Sequence, residues 1–592
     1  MAGAGVFSAL GAILSTLGIL WYIFIWTLCL FGLHRARVVF AQPPRLLASQ
    51  QLPSTPGRGM EEEEDRANLP GVSILRPLAG SDANLYANLA STFQQDYPAA
   101  KHEVIFSVSS EEDAALPIVR RVVAEYAAGG TSSGKVKAQI IVGDVKAGVN
   151  PKVNNLLRPY SLAQHDILWI VDSQVRLCSS TLRSAVAQLL APSPTPSPTW
   201  LHRRPHGSRV GLLHCVPLGV DHHEGSLASL VERVFLSTTH AKMYLAMNAL
   251  AVESCVMGKS NMWRKSDLEQ VPDSFFAVGL DGSREEDPEG ALGSPAFQVE
   301  TQSSQARPFV LDDEAEEGAE ETGEEESLSI IRQARPLARF SIYLAEDNMV
   351  ATSLWRPPLS LSHVLASGSA CIARTNVGEI RTLADYIGRR SRWIRVRRHM
   401  VPEATIAEPL TESPLAGLVG FCSLRFFGLW PSGLLAATLF FLVHFTGWYL
   451  VDFAVLAALE SGSGEWSPQA EERGSTSGTQ AESRAQHTSP PPAPRLFTRK
   501  GERWEFTKAW ILREALALPI FCWSIWGGNE VNWRGQPYRI LSDSRAAQIL
   551  PHAPTGRRRG TGLRTVRGAG AGTGAGGASA SRAEYQSLPS EE

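Results

Sequence analysis

Cysteine is scarce in this chain: seven in 592 residues, at Cys29, Cys178, Cys215, Cys255, Cys371, Cys422 and Cys522. They are odd in number, scattered, and contain no C-x-x-C pair, which excludes a disulfide-stapled scaffold and offers no start for a zinc site or a redox motif. Net charge is nearly absent too. The 56 Lys and Arg against 59 Asp and Glu give a formal net charge of -3, so no global basic field exists to hold a nucleic-acid backbone. Charge is missing altogether from Met1 to Leu33.

That last absence is the most informative. The apolar block ILSTLGILWYIFIWTLCLFGL runs directly into His34, Arg35 and Arg37. About 20 apolar residues span the hydrocarbon core of a bilayer. A cleaved leader would have a shorter apolar run, a basic start and a small-residue cleavage site, so residues 1–33 are expected to be a retained anchor. The basic flank places the chain beyond it on the cytosolic side. The mean hydropathy of -0.08 hides this, because it averages apolar blocks with polar inserts.

Two further apolar regions lie late in the chain. Leu415 to Leu459, interrupted by Arg425 and Pro431, is long enough for two crossings, or for an interfacial helix up to Trp430 and one crossing from Gly433. Ala509 to Trp526 forms the last. The interfacial alternative gives three crossings and returns the arginines at Arg557, Arg558 and Arg559 to the cytosol, in line with the charge rule.

Several stretches lack the apolar residues to build a core. Pro192–Pro198 is a Pro/Ser/Thr linker, Asp312–Glu326 has ten acidic residues in fifteen, Ser461–Pro494 is polar and proline-rich, and Gly568–Ser581 is nearly all Gly and Ala. The expected organisation is an anchor (1–33), a juxtamembrane linker (34–68) and a catalytic-type domain (69–410) with disordered inserts at about 192–209 and 281–326. Membrane-associated helices (411–459), a disordered loop (460–505), a final membrane helix with a W-R-x-x-x-Y-R segment (506–540) and a disordered tail (541–592) complete it.

Between the anchors, the strand-like runs VSILRPL, HEVIFSVS, AQIIVG and DILWIVD alternate with helical patterns near Asn84–Gln95 and Ala115–Ala128. Strands spaced by helices predict an α/β domain with a mostly parallel sheet. In such sheets ligands bind beyond the carboxyl ends of the strands, so acidic groups there are the candidates. Glu111, Glu112 and Asp113 follow HEVIFSVS. A carboxylate in that loop can accept hydrogen bonds from a base or ribose, or merely cap the next helix. Asp172 emerges from the very apolar DILWIVD, where a hard oxygen can meet a divalent cation bridging a diphosphate. In LAEDNM, Glu346 and Asp347 are adjacent carboxylates whose pKa values can be driven apart, leaving one as a base near neutral pH; helix-start capping is the plainer alternative. In RRSRWIRVRRHM, Arg389, Arg392 and Trp393 are suited to grip phosphate and line an acceptor channel, while Arg395, Arg397 and Arg398 read rather as a stripe for an anionic leaflet.

Taken in order, these residues resemble the D, D, D, (Q/R)-x-x-R-W pattern of the inverting family-2-like glycosyltransferases of GT-A fold, met by Asp113, Asp172, Asp347 and Arg389-x-x-Arg392-Trp393. The stretches PGVSILRPLAGSDANL, GVNPKVNNL, DILWIVDS, VGLLHCVP, LAEDNM and ATIAEPL, in this order, are similar to the ceramide glucosyltransferase family in particular. The likeness runs in patches over 69–407 and resumes at 510–540. It implies transfer of glucose from UDP-glucose to the primary hydroxyl of ceramide with inversion, at a Golgi or endoplasmic-reticulum membrane, with the catalytic domain in the cytosol. By the same resemblance Asp113 contacts uridine, Asp172 the metal (Mg2+ or Mn2+) and diphosphate, and Asp347 is the base. Arg389, Arg392 and Trp393 hold the leaving diphosphate and the acceptor, and His214 lies close to the site. One departure is plain: Ser173 and Gln174 follow Asp172, so the second acidic residue of a D-x-D metal site is missing. The rival readings are a processive polysaccharide synthase, which needs more crossings to form a channel, a smaller polyprenyl-phosphate sugar synthase, and a non-catalytic membrane scaffold.

Overall fold

The computed structural model describes residues 2–40, 68–82, 84–127, 136–193, 209–221, 225–277, 325–461, 502–533 and 535–549. Most of the expected linkers and the C-terminal tail lie outside the described residues, including the bulk of the acidic run and Arg557–Arg559.

A seven-stranded sheet positions the candidate site. Its strands are β1 (Val72–Pro77), β2 (His102–Val108), β3 (Lys137–Val142), β4 (Ile167–Val171), β6 (Val210–His214), β8 (Ser260–Arg264) and β9 (Ser362–Leu365), in the order β3-β2-β1-β4-β8-β6-β9. The first four are parallel, as the strand–helix alternation predicts. β8 is antiparallel to both β4 and β6, so the sheet is mixed. β1, β2 and β4 are buried along their whole length; β4 is apolar throughout, while β1 carries the buried Ser73 and Arg76 and β2 the buried His102, Glu103 and Ser107. Successive side chains leave opposite faces: Ile74, Val104, Phe106 and Trp169 enter one core, and Leu75, Ile105, Leu168 and Ile170 the other.

Immediately after β6 the chain passes through Cys215 into β7 (Val216–Val220), which belongs to a second sheet with β5 (Val175–Arg176) and β10 (Ile372–Asn376) in the order β5-β10-β7. A third sheet, β11 (Glu530–Trp533), β12 (Gln536–Ile540) and β13 (Ala546–Gln548), follows the last long helix. It packs Val531, Tyr538 and Ile540 against Val396 of the helix Leu383–Met400.

Among the described residues three helices are long and apolar enough to cross a membrane: Ala9–Phe40 within the helix Ala2–Phe40, Leu434–Ser461 and Glu502–Trp526. The first runs past the expected end of the anchor through His34, Arg35 and Arg37, burying Ala36, Val39 and Phe40 in the core beneath the small second sheet. Gly32 permits that approach, because a Cβ there would strike the Lys242 carbonyl. Of the region with two alternatives, Ser413–Phe426 is a separate 14-residue helix, too short to span, packed on the first long helix. Asp452, inside Leu434–Ser461, is fully buried and accepts from Lys242 Nζ at 2.6 Å and from Trp510 Nε1 at 2.9 Å, so one carboxylate ties two long helices to the α/β domain.

Candidate active site

Asp172 follows β4, its backbone N–H donating to the Lys259 carbonyl at 3.1 Å. Two ammonium groups meet its carboxylate: Lys152 Nζ lies 2.9 Å from Oδ1 and Lys259 Nζ 3.0 Å from Oδ2. Lys152 is placed by local chemistry. Asn150 caps the helix Pro151–Leu162, accepting from the Lys152 and Val153 amides at 2.8 and 3.1 Å, and Pro151 supplies the preset first helical residue. The Asn150 side chain also donates to the Tyr343 carbonyl (2.7 Å) and to Glu346 Oε2 (2.9 Å), holding the start of the helix Glu346–Trp355 against it. Lys152 Nζ completes the link at 3.1 Å from Glu346 Oε1.

Asp347 is thereby brought into the same cluster. It is half-buried and packs against Gly258, where a Cβ would come within 2.6 Å of its Oδ2 and displace the carboxylate. Burial first, and then the like charge of Glu346, push its carboxyl up to about 6 against the pull of Lys152. Asp172 goes the other way. Burial works to raise it, but Lys152 and Lys259 outweigh burial and hold it at about 2. Lys259 is itself lowered, by burial and by the neighbouring Arg389, despite Asp172.

The arginine–tryptophan segment borders this cluster. Arg389 Nε donates to the buried Glu232 at 2.8 Å, and its guanidinium lies 4.9 Å from the centre of the Trp393 ring. Trp393 faces Phe235 and His240, each at 6.4 Å between ring centres. Arg392 points to a different neighbour, the Trp533 ring of β11 at 5.8 Å. His214 ends β6 wholly buried, its Nδ1 2.6 Å from the Tyr244 hydroxyl, which accepts from the Met257 amide at 2.9 Å. Burial lowers the His214 imidazole to about 3, so it is a neutral support behind the segment carrying Gly258 and Lys259. Asp113 is engaged elsewhere: its Oδ1 accepts from the Gly80 and Ala115 amides at 3.0 and 2.8 Å, clasping the loops after β1 and β2.

Of the residues singled out from the sequence, the structure links Asp172 and Asp347 through Lys152 and Glu346, sets Arg389 and Trp393 beside each other and His214 behind Tyr244, and turns Asp113 and Arg392 to other neighbours. Sequence reasoning missed Lys152, Lys259, Asn150, Glu232 and Tyr244 as members. Only the first carried a local signal, since Asn150-Pro151 reads as a helix start that puts residue 152 in the first turn.

Among the described residues no group of three or more His, Cys, Asp or Glu side chains is arranged for a metal ion. The oxygen donors at the expected position are Asp172 and Gln174 Oε1, which both face the Lys259 ammonium at 3.0 and 3.4 Å. Gln174 stands where the second acidic residue of a D-x-D site would be, and a divalent ion there would take its remaining ligands from a diphosphate.

The chain is similar to known proteins over most of its length. Over 555 residues the chain is 29% identical to a ceramide glucosyltransferase of Komagataella phaffii, covering 91% of this chain and 92% of the relative. It is 28% identical to one of Candida albicans, covering 90% and 97%, and 25% identical to ceramide glucosyltransferase 1 of Caenorhabditis elegans, covering 68% and 65%. Among solved structures, the mannosyltransferase PcManGT from Pyrobaculum calidifontis, in complex with GDP-Man and Mn2+, is similar at 14% identity and a TM-score of 0.34, covering 87% of this chain and 99% of that one. The model of glycosyl transferase family 21 matches residues 26–272 and 330–470, and the chain belongs to that family.

Proposed function

We propose that the protein transfers glucose from UDP-glucose to the primary hydroxyl of ceramide, with inversion, giving β-glucosylceramide and UDP. The observation that carries this reading is Asp347, a carboxylate whose proton affinity is raised toward neutrality, seated beside a lysine-neutralised Asp172 at the carboxyl end of β4 in a chain with three membrane-length helices. In the step, the ceramide hydroxyl oxygen forms a bond to the anomeric carbon as the bond from that carbon to the diphosphate oxygen breaks. Asp347 takes the hydroxyl proton, and the electron pair leaves with UDP. Lys152, Lys259 and Arg389 supply the positive charge that stabilises the departing diphosphate, so no second acid is needed. Asp172 and Gln174 would hold a Mg2+ or Mn2+ ion, which neutralises diphosphate charge when bound. Asp113 is assigned to the uridine loop, and Arg392 and Trp393 to the acceptor side.

A processive polysaccharide synthase is disfavoured by there being three membrane-length helices among the described residues, and a non-catalytic scaffold by the intact Asp347 and Arg389-x-x-Arg392-Trp393. The site is assigned to the cytosolic face of a Golgi or endoplasmic-reticulum membrane. One experiment tests donor, acceptor and face together: sealed, cytosol-side-out microsomes carrying the protein are given fluorescent ceramide and either UDP-glucose, UDP-galactose or UDP-N-acetylglucosamine. Glucosylceramide should form from UDP-glucose alone, without detergent. A polymer, no lipid product, or product only after detergent would contradict the reading.

A further inference from the structure

The W-R-x-x-x-Y-R segment folds into β11 and β12 directly after the membrane-length helix Glu502–Trp526. Its residues have separate tasks. Trp533 ends β11, and Gly535, at a φ of +78°, lets the chain turn back into β12 at Gln536. Tyr538 stands opposite Val531 and is buried with it, while Arg539 stands opposite Glu530 and donates to its carboxylate at 2.9 Å, a cross-strand pair that favours this register. The sheet so formed buries Val531, Tyr538, Ile540 and Ala546 in one small core.

That core takes in residues from two segments of the candidate site. Leu344 and Ala345, immediately before Glu346 and Asp347, pack into it, as does Val149, immediately before the helix cap Asn150. Val396 and Met400 reach it from the helix Leu383–Met400. Spacings of three and four residues put Arg395 and Val396 on the same side of that helix as Arg392. The Arg392 guanidinium lies 5.8 Å from the centre of the Trp533 ring, within reach of a cation–π contact. Arg395 donates to the Ser524 and Gly527 carbonyls at 3.2 and 3.1 Å, and Arg398 to the Ile525 carbonyl at 3.1 Å. These two arginines therefore cap the last turn of the membrane-length helix, turned to its carbonyls rather than to an anionic leaflet. The helix end, the sheet and the arginine–tryptophan helix are thereby fixed to one another.

We propose that this sheet positions the two reacting segments relative to each other: Trp533 holds the Arg392 guanidinium, and the core of Val531, Tyr538 and Ile540 holds the Leu344–Ala345 approach to Asp347. Trp533 and Ile540 are then positioning residues, acting through Arg392 and Asp347 without touching substrate. The proposal rests on the reading of Asp347 as the base and of Arg392 as an acceptor-side group. Its test uses the full chain in phosphatidylcholine nanodiscs. Trp533→Ala should lower kcat/KM for ceramide about tenfold with the KM for UDP-glucose within about twofold, and Trp533→Phe should recover most of the loss. In an Arg392→Met background the same Trp533→Ala change should cost less than about twofold, because the group it positions is gone. Equal losses in the two backgrounds would show that Trp533 only packs the sheet, and would overturn its role. Ile540→Ala should speed hydrogen exchange at the amides of residues 343–348 and leave those of β4 unchanged; faster exchange at both, or at neither, contradicts the proposal. Wild-type protein decides should a variant fail to fold or turn over too slowly to assay. UDP and ceramide together, which carry no sugar to transfer, should slow exchange in residues 529–548 as well as in 343–349, and protection confined to 343–349 overturns the proposal. Wild-type protein that makes no glucosylceramide from UDP-glucose in the same nanodiscs would instead overturn the functional reading, whereas an active wild type with additive variants overturns only the positioning role of the sheet.

Discussion

Asp347 and Glu346 are chain neighbours with different work. Both oxygens of Glu346 are occupied, one by Lys152 at 3.1 Å and the other by Asn150 at 2.9 Å. Asp347 Oδ1 receives a longer side-chain contact, from Asn348 at 3.5 Å, and its carboxyl is pushed up by burial and by Glu346. This distinction could not be read from LAEDNM, because it depends on Lys152, nearly two hundred residues earlier. The raised Asp347 carboxyl predicts that kcat/KM rises with pH through about 6, where this group loses its proton. Removing the like charge with Glu346→Gln lowers the Asp347 pKa, so a pH–rate profile should show the rising limb at lower pH in that variant; a limb that stays or moves up would contradict the assignment. The sign for stability runs opposite to that for activity. A carboxyl whose folded pKa lies above its unfolded value supports the fold fully below the unfolded value, and that support is lost as pH rises through the folded one. Asp347→Asn should therefore melt higher than the wild type at pH 7 while being nearly inactive.

At the scale of elements, β4 was legible because burial on both faces demands a continuous apolar run, and β1 and β2 because apolar residues dominate their centres, whereas β3 is only partly buried. β8 was not, since SNMWR mixes polar and apolar residues, and its place depends on antiparallel pairing with both β4 and β6 rather than on its own pattern. Residues 415–459 read as an ambiguous apolar block because composition cannot show that its first part ends at Phe426 as a packed short helix. Nor could sequence foresee that Asp452, an isolated acid in an apolar helix, would meet Lys242 from the α/β domain. Breaking one side of a buried pair leaves an uncompensated charge, at a cost of about 3–5 kcal/mol, whereas replacing both sides by apolar residues is often neutral. Asp452→Leu should thus lower the melting temperature in detergent, and Lys242→Met with Asp452→Leu should recover most of the loss. A double variant no more stable than the single would show that the pair does not hold the helices to the domain.

For the molecule as a whole, the α/β class, the membrane-length helices at both ends and the family were all legible from the ordered segments. The assembly of the site was legible only in part, because sequence order lists acids while chemistry depends on which cations neutralise them. On the proposed reading, Lys152 and Lys259, which flank Asp172, make it part of a diphosphate seat, and a single base then suffices. On that reading, one base with charge-stabilised departure of UDP commits the reaction to a single in-line displacement. The decisive measurement is the anomeric configuration of the glycolipid made by the purified full chain in nanodiscs from UDP-glucose and ceramide, read by NMR, with Asp347→Asn alongside. A β-linked glucosylceramide is expected from the wild type, and turnover reduced by about 10²–10⁴-fold in the Asn variant with UDP-glucose affinity retained. An α-linked product, or near-normal turnover without the Asp347 carboxylate, would rule out a single displacement driven by this base.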